Sequence, residues 1–114
     1  MSYPVVKIHN STDFSVEGDV VYCSAFCSDD SYGMAARGYW EAKGRGVCLV
    51  KKISAKLNTP NGVINATPYT SSGTSYSEFA IVHLGVNDFA VTRIVNGEED
   101  VAPSNYEEPT ETQK

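Results

Sequence analysis

The residues of this chain whose types could do chemistry are two histidines, three cysteines and a pair of adjacent carboxylates, and their spacing decides what they could do. His9 and His83 each sit in an apolar strand pattern, where a histidine is more often structural than a proton-transfer base. Asp29 and Asp30 are neighbours on a polar stretch, and adjacent positions face different ways, so they do not form an acid/base couple. A calcium site shared with Asp13 or Asp88 would need six or more oxygens, which these residues do not supply. Cys23 and Cys27, spaced C-x₃-C, with Cys48 alone, do not match the tight pairs of a zinc site. No G-x-S-x-G, H-E-x-x-H or phosphate loop is present, and Gly44-Arg45-Gly46 is too short to cradle a pyrophosphate. The expectation is a protein with no catalytic residue, no metal site and no cofactor, hence not an enzyme.

The odd number of cysteines forbids complete pairing within one chain. On one straight strand Cys23 and Cys27 would stand about 13 Å apart, beyond the roughly 7 Å between Cα atoms that a disulfide tolerates, so they should not pair with each other. Without a visible export signal, three reduced cysteines acting as small apolar residues are expected. In an oxidising setting, Cys48 could bridge to Cys27 or to Cys23.

Binding chemistry is better represented than catalysis. In residues 67–79, TPYTSSGTSYSEF, nine of thirteen residues are Thr, Ser or Tyr. Hydroxyls and tyrosine rings in a glycine-hinged loop give adaptable hydrogen bonds and flat amphipathic surfaces. Thr70, Ser72, Gly73, Thr74 and Tyr76 are therefore the candidate ligand-binding residues, joined by Tyr39 and Trp40 from an earlier turn in a patch at one end of the fold. Gly73, with polar neighbours and no packing reason to be small, is expected at positive φ.

The elements that must carry these residues read as strands. Residues 46–57, GVCLVKKISAKL, alternate Val47, Leu49, Ile53, Ala55 and Leu57 against Lys52, Ser54 and Lys56, which places one buried face on a strand near a sheet centre. Residues 3–9 form a first strand, and Asn10-Ser11-Thr12-Asp13 a turn whose side chains bond their own backbone. Residues 16–26 form a long strand with both faces largely buried, and residues 28–33 a polar turn. Residues 34–43 fit a strand or a two-turn helix, with Gly38, Tyr39 and Trp40 tilting the balance to strand. Pro60 and Asn61-Gly62 mark a hairpin to residues 63–68. Strands at 76–84 and 89–95 flank the turn Gly85-Val86-Asn87-Asp88. About seven short strands spaced this way predict an all-β, single-domain antiparallel β-sandwich over residues 1–96, with a small closed β-barrel as the alternative.

Residues 97–114 carry six acids and one base, so the net charge of −5 resides there and the body is neutral. Two prolines and few apolar residues make this stretch a flexible acidic tail in expectation. No basic stripe exceeds Lys51, Lys52 and Lys56, which argues against nucleic acid. No run is long and apolar enough to cross a bilayer as a helix, and no signal peptide is visible, so the chain is expected to be soluble, either cytoplasmic or exported by a non-classical route. Export would open two sequons, at Asn10 and Asn65, to glycans.

The opening pattern Val6-x-Ile8-x-Asn10-x-Thr12, with Gly18 before the second strand's core, is similar in style to the aegerolysins and to small fungal or microbial lectins over about the first 25 residues. Those families' tryptophan-rich elements are missing here, Trp40 being the sole tryptophan, so none of their functional residues transfers. Three functions follow as expectations. The first is a lectin-like recognition module for glycans or polar cell-surface groups. The second is a membrane-surface or lipid-binding β protein of aegerolysin style. The third is a structural protein that self-associates into homo-oligomers through its sheet edges.

Overall fold

A computed structural model describes residues 4–23, 26–44, 48–95 and 98–100. They form eleven strands and no helix: β1 (Lys7–Asn10), β2 (Ser15–Tyr22), β3 (Asp30–Met34), β4 (Tyr39–Glu41), β5 (Val50–Ile53), β6 (Lys56–Thr59), β7 (Gly62–Asn65), β8 (Tyr69–Thr74), β9 (Glu78–Gly85), β10 (Asp88–Val95) and β11 (Glu98–Asp100). One sheet runs β11-β10-β9-β1-β4. The other runs β7-β6-β2-β5-β8, with β3 on the free edge of β2. The two sheets pack face to face as a sandwich in one compact domain, and no barrel closes.

The core follows from the alternation. Phe79, Ile81, Phe89 and Val91 from one sheet meet Val16, Val20, Val50, Ile53, Leu57 and Tyr69 from the other, all nearly or wholly inaccessible to solvent. Full burial of such a side chain is worth about 1.5–3 kcal/mol, which makes this interface the main source of stability. Within the second sheet Gly18 admits a close approach: a Cβ there would lie 2.0 Å from the Ser54 carbonyl oxygen and 2.8 Å from the Tyr32 hydroxyl. That hydroxyl donates to the same Ser54 oxygen at 2.7 Å. Burial, and then the charge of Asp19, push the Tyr32 pKa well above the ordinary phenol value.

Strand number and register differ from the sequence reading for identifiable reasons. The expected continuous strand at 46–57 is two strands, β5 and β6, which pair one after the other with the same edge of β2. Pairing shifts between Val50 and Lys52 against β8, and between Val21 and Tyr22 against β5. The irregularity places Val50 and Ile53, three apart, both in the core, and leaves Leu49 half-buried. Of the strand expected at 16–26, β2 ends at Tyr22: Val16, Val20 and Tyr22 point inward, Cys23 is exposed, Phe26 is 99% exposed, and residues 24 and 25 lie outside the described residues. Residues 30–33, expected in a turn, pair with β2 as part of β3 because Tyr32 has a core position and a backbone acceptor. Strand, not helix, holds for Tyr39 and Trp40 on β4. Most pairings are antiparallel, but β1 lies parallel to β9, with Lys7 opposite Glu78 and Asn10 opposite Ile81. Of the expected acidic tail, Glu98–Asp100 form β11 beside β10, and residues 101–114 lie outside the described residues.

Candidate functional site

The residues expected to bind do not converge. Thr70, Ser72, Gly73 and Thr74 lie on β8, an edge strand rather than a loop, and the register shift against β5 interrupts their alternation. Thr70 and Ser72 are exposed, whereas Gly73 and Thr74 are buried. Gly73 has the expected positive φ, at 135°. It also has a packing reason to be small, because a Cβ would stand 3.2 Å from the Cys23 sulfur and 3.3 Å from Leu49. Tyr76 follows β8, half-buried against the core, with the Arg93 guanidinium 5.3 Å from its ring centre. Tyr39 and Trp40 belong to the other sheet, on β4, whose neighbours are β1 and β3, while those of β8 are β5 and β10. Trp40 turns inward against Tyr32, with ring centres 5.4 Å apart. Tyr39 faces outward and packs on His9 at 5.0 Å. Desolvation, the hydrogen bond to Glu41 and the charges of Glu41 and Glu78 raise the Tyr39 pKa.

A different set of residues does converge, at the mouth of the sandwich where β2 begins. Phe14, Thr59, Pro60, Asn61, His83, Val86, Asn87 and Phe89 line an open recess of about 160 Å³. Its floor is Phe89, and the imidazole of His83 stacks on it with centres 4.3 Å apart and planes 17° from parallel. Phe14 presents its edge to both rings, at 5.9 and 6.1 Å.

Each wall has a local cause. The β9–β10 register shifts between Asp88 and Phe89: Asp88 faces Gly85, and Phe89 faces His83, so Leu84 is left over as a bulge. Up to His83 the pairing is regular, so His83 shares the face of Phe79 and Ile81 and stands opposite Phe89, while the bulge beyond it leaves Leu84 52% exposed. Asn87 takes a positive φ of 58° in the tight turn, a conformation asparagine tolerates. Opposite it, the β6–β7 turn is closed by Thr59, whose hydroxyl accepts from Asn61 N and donates to the Gly62 carbonyl. The two turns touch where Asn61 Nδ2 donates to Asn87 Oδ1 at 3.4 Å.

The third wall is set by the turn after β1, in the side-chain-to-backbone manner its sequence predicts. Buried Asn10 accepts from the Thr12 amide and hydroxyl, at 3.0 and 2.7 Å, and donates to the carbonyls of Phe14 and Ala35, at 2.7 and 3.0 Å. The Thr12 hydroxyl in turn accepts from Phe14 N. Phe14 is thereby held in place, and the Asn10 side chain is fully occupied, which removes it as a glycan acceptor in the folded protein. Asn65, at the end of β7, is exposed.

At the far end of β2 a second recess, about 240 Å³, is lined by Tyr22, Cys27, Ser28, Asp30, Gly44 and Cys48. Cys27 and Cys48 form a disulfide with Cα atoms 6.3 Å apart, so the expectation of three reduced cysteines gives way to one bridge and one free thiol, Cys23. The Tyr22 hydroxyl donates to Asp30 at 2.7 Å. Among the described residues no three His, Cys, Asp or Glu side chains come together as metal ligands, and no helix is long and apolar enough to cross a membrane.

The sequence reading missed Phe14, Asn61, His83, Asn87 and Phe89 as a group. It had both signals, the Asn61-Gly62 turn and the Gly85–Asp88 turn, but nothing local shows that two hairpin tips meet in space.

No family model matches this chain, and no curated protein matches it. An NMR structure of a protein from Eubacterium rectale is similar in fold, with a TM-score of 0.54 and 13% sequence identity over 81% of this chain and 88% of that one. At that identity the likeness shows the fold alone.

Proposed function

We propose that this protein is a non-enzymatic recognition module that takes a saccharide ring into the recess at the mouth of the sandwich. The observation that carries the proposal is the joint presence of a stacked His83–Phe89 surface and an amide pair, Asn61 and Asn87, on one rim. A pyranose offers a C–H face to lay on an aromatic surface and hydroxyls that pair with amide groups. The volume, about 160 Å³, falls below the roughly 300–1,000 Å³ of drug-sized sites and suits one small ring. The hydroxyl-rich β8 becomes a flanking surface in this reading, not the site.

The test is an amide and side-chain NMR titration against a panel of mono- and disaccharides. Shifts confined to Phe14, Asn61, His83, Asn87 and Phe89 are expected, and Asn61→Ala with Asn87→Ala should weaken binding about tenfold or more, as loss of two hydrogen bonds does. Perturbation of Thr70, Ser72 and Thr74 instead, or no shift with any sugar, would sink the proposal. A lipid-surface reading has one observation in its favour: Val86, 89% exposed, and Leu84 crown the same mouth. Retention on liposomes in flotation, abolished by Val86→Asp, would favour it over sugar binding.

A further inference from the structure

We infer that the recess is selective for a saccharide bearing a carboxylate, with His83 as the residue that reads the charge. The inference rests on the saccharide reading of the same recess and adds its ligand class. His83 is the one titratable group in the lining, and no acidic side chain accompanies it. Asp13 in the β1–β2 turn, which is held by Arg37 at 2.9 Å, Asp88 at the foot of the β9–β10 turn, and Glu17, Lys56, Glu78 and Arg93 on the strands around it all lie outside the lining.

The contrast with the second histidine is informative. His9 lies 4.0 Å from Glu78 and packs on Tyr39, which is hydrogen-bonded to Glu41, so carboxylates of the protein already answer any charge it acquires. His83 has no such counter-ion. One face of its ring lies on Phe89, and Phe14 adds a second ring at its side. Among the described residues no hydrogen bond engages either ring nitrogen, although His83 is exposed and its ring is fixed by stacking. An oriented ring with open nitrogens, in a lining that supplies no anion, is suited to receive one from a ligand. A ring carboxylate would accept from the imidazolium as a charge-assisted hydrogen bond, and Asn87, whose Oδ1 already accepts from Asn61, has its amide nitrogen for a neighbouring hydroxyl.

Imidazoles exchange their proton between about pH 5 and 8, so the selectivity should appear as a pH-dependent preference. The experiment compares glucuronate with glucose by NMR titration at about pH 5.5 and about pH 8, on the full chain and on His83→Gln. Glucuronate should bind about tenfold more tightly at the lower pH, as expected for gain of a charge-assisted hydrogen bond, while glucose affinity changes little. In His83→Gln the ratio of glucuronate to glucose affinity should be the same at both pH values, whatever loss the two sugars share. Glucose binding with a pH-independent ratio in the unmodified protein, or a pH-dependent ratio that survives His83→Gln, overturns the charge-reading role and leaves the saccharide site standing. No binding of either sugar at either pH overturns both.

Discussion

The two ends of β2 are built from different materials. At its start, near Phe14, the chain is held by neutral hydrogen bonds from Asn10 and Thr12 and by three stacked or edge-on aromatic rings. At its finish, near Tyr22, it is held by a covalent bridge from Cys27 to Cys48 and by a tyrosine-to-carboxylate hydrogen bond. The first end keeps polar groups in reserve, since the His83 nitrogens and part of the Asn61 and Asn87 amides face the recess without protein partners among the described residues. The second end spends its polar groups on itself. A disulfide stabilises mainly by restricting the unfolded chain and asks little of the groups around it, whereas a fold that relies on packed rings leaves a shaped surface behind. That difference is why the first end is the candidate site.

Three substitutions would break or sharpen this contrast. The largest effect is expected from Phe89→Ala, which empties the floor of the recess and should cost about 3–5 kcal/mol in chemical denaturation. It should also erase the ring-current shifts of His83, and a mild loss with unchanged His83 resonances would mean that the stacked pair is not the structural base of this end. Next is Cys48→Ser, which opens a bridge closing 21 residues of sequence and should cost about 3 kcal/mol. The His83 resonances should stay where they are; movement there would show that the ends are coupled through β2. The smallest is Tyr22→Phe, which removes the hydroxyl bonded to Asp30 and should cost about 0.5–1.5 kcal/mol, read as a shift of the denaturation midpoint. A Tyr22→Phe loss as large as that of Cys48→Ser would mean that the Tyr22–Asp30 pair, and not the disulfide, organises the second end.

The sequence carried the fold class well because period-two alternation and turn residues are local properties. The Asn10–Asp13 turn, the hairpin at Asn61-Gly62 and the positive φ of Gly73 all rest on chemistry contained in a few residues, and all are present. What it did not carry depends on partners far along the chain. The shifted register that sends Val50 inward is set by β2 and β8, and the place of His83 opposite Phe89 is set by the pairing of β9 with β10. Residues 70–74 have the composition of a loop but lie beside β5, because Val50, Lys52 and Ile53 offer them backbone partners. The site fell in the same gap. Its residues come from three turns that are unremarkable singly, and His83 reads as a strand histidine until its cross-strand neighbour Phe89 is known.

The parallel placement of β1 against β9 has a consequence for how the chain can be made. Lys7 meets Glu78 and Asn10 meets Ile81, so although β4 can pair with the other edge of β1 some thirty residues later, β1 is joined to the rest of its sheet only when some seventy later residues exist. A polypeptide emerging from the ribosome therefore presents Val6 and Ile8, both fully buried at the end, with β4 as their strand neighbour and without β9 until late in synthesis. Pairing at such long separation is slow, on the order of milliseconds to seconds for β proteins of this kind, because the intervening loop must be closed before any contact rewards it. The Asn10 turn that fixes Phe14 is held by nearby residues, whereas His83, Asn87 and Phe89 arrive with β9 and β10, so the recess is complete only once those strands have joined β1. A nascent chain would carry the Phe14 wall without the floor, and ligand binding would report complete folding.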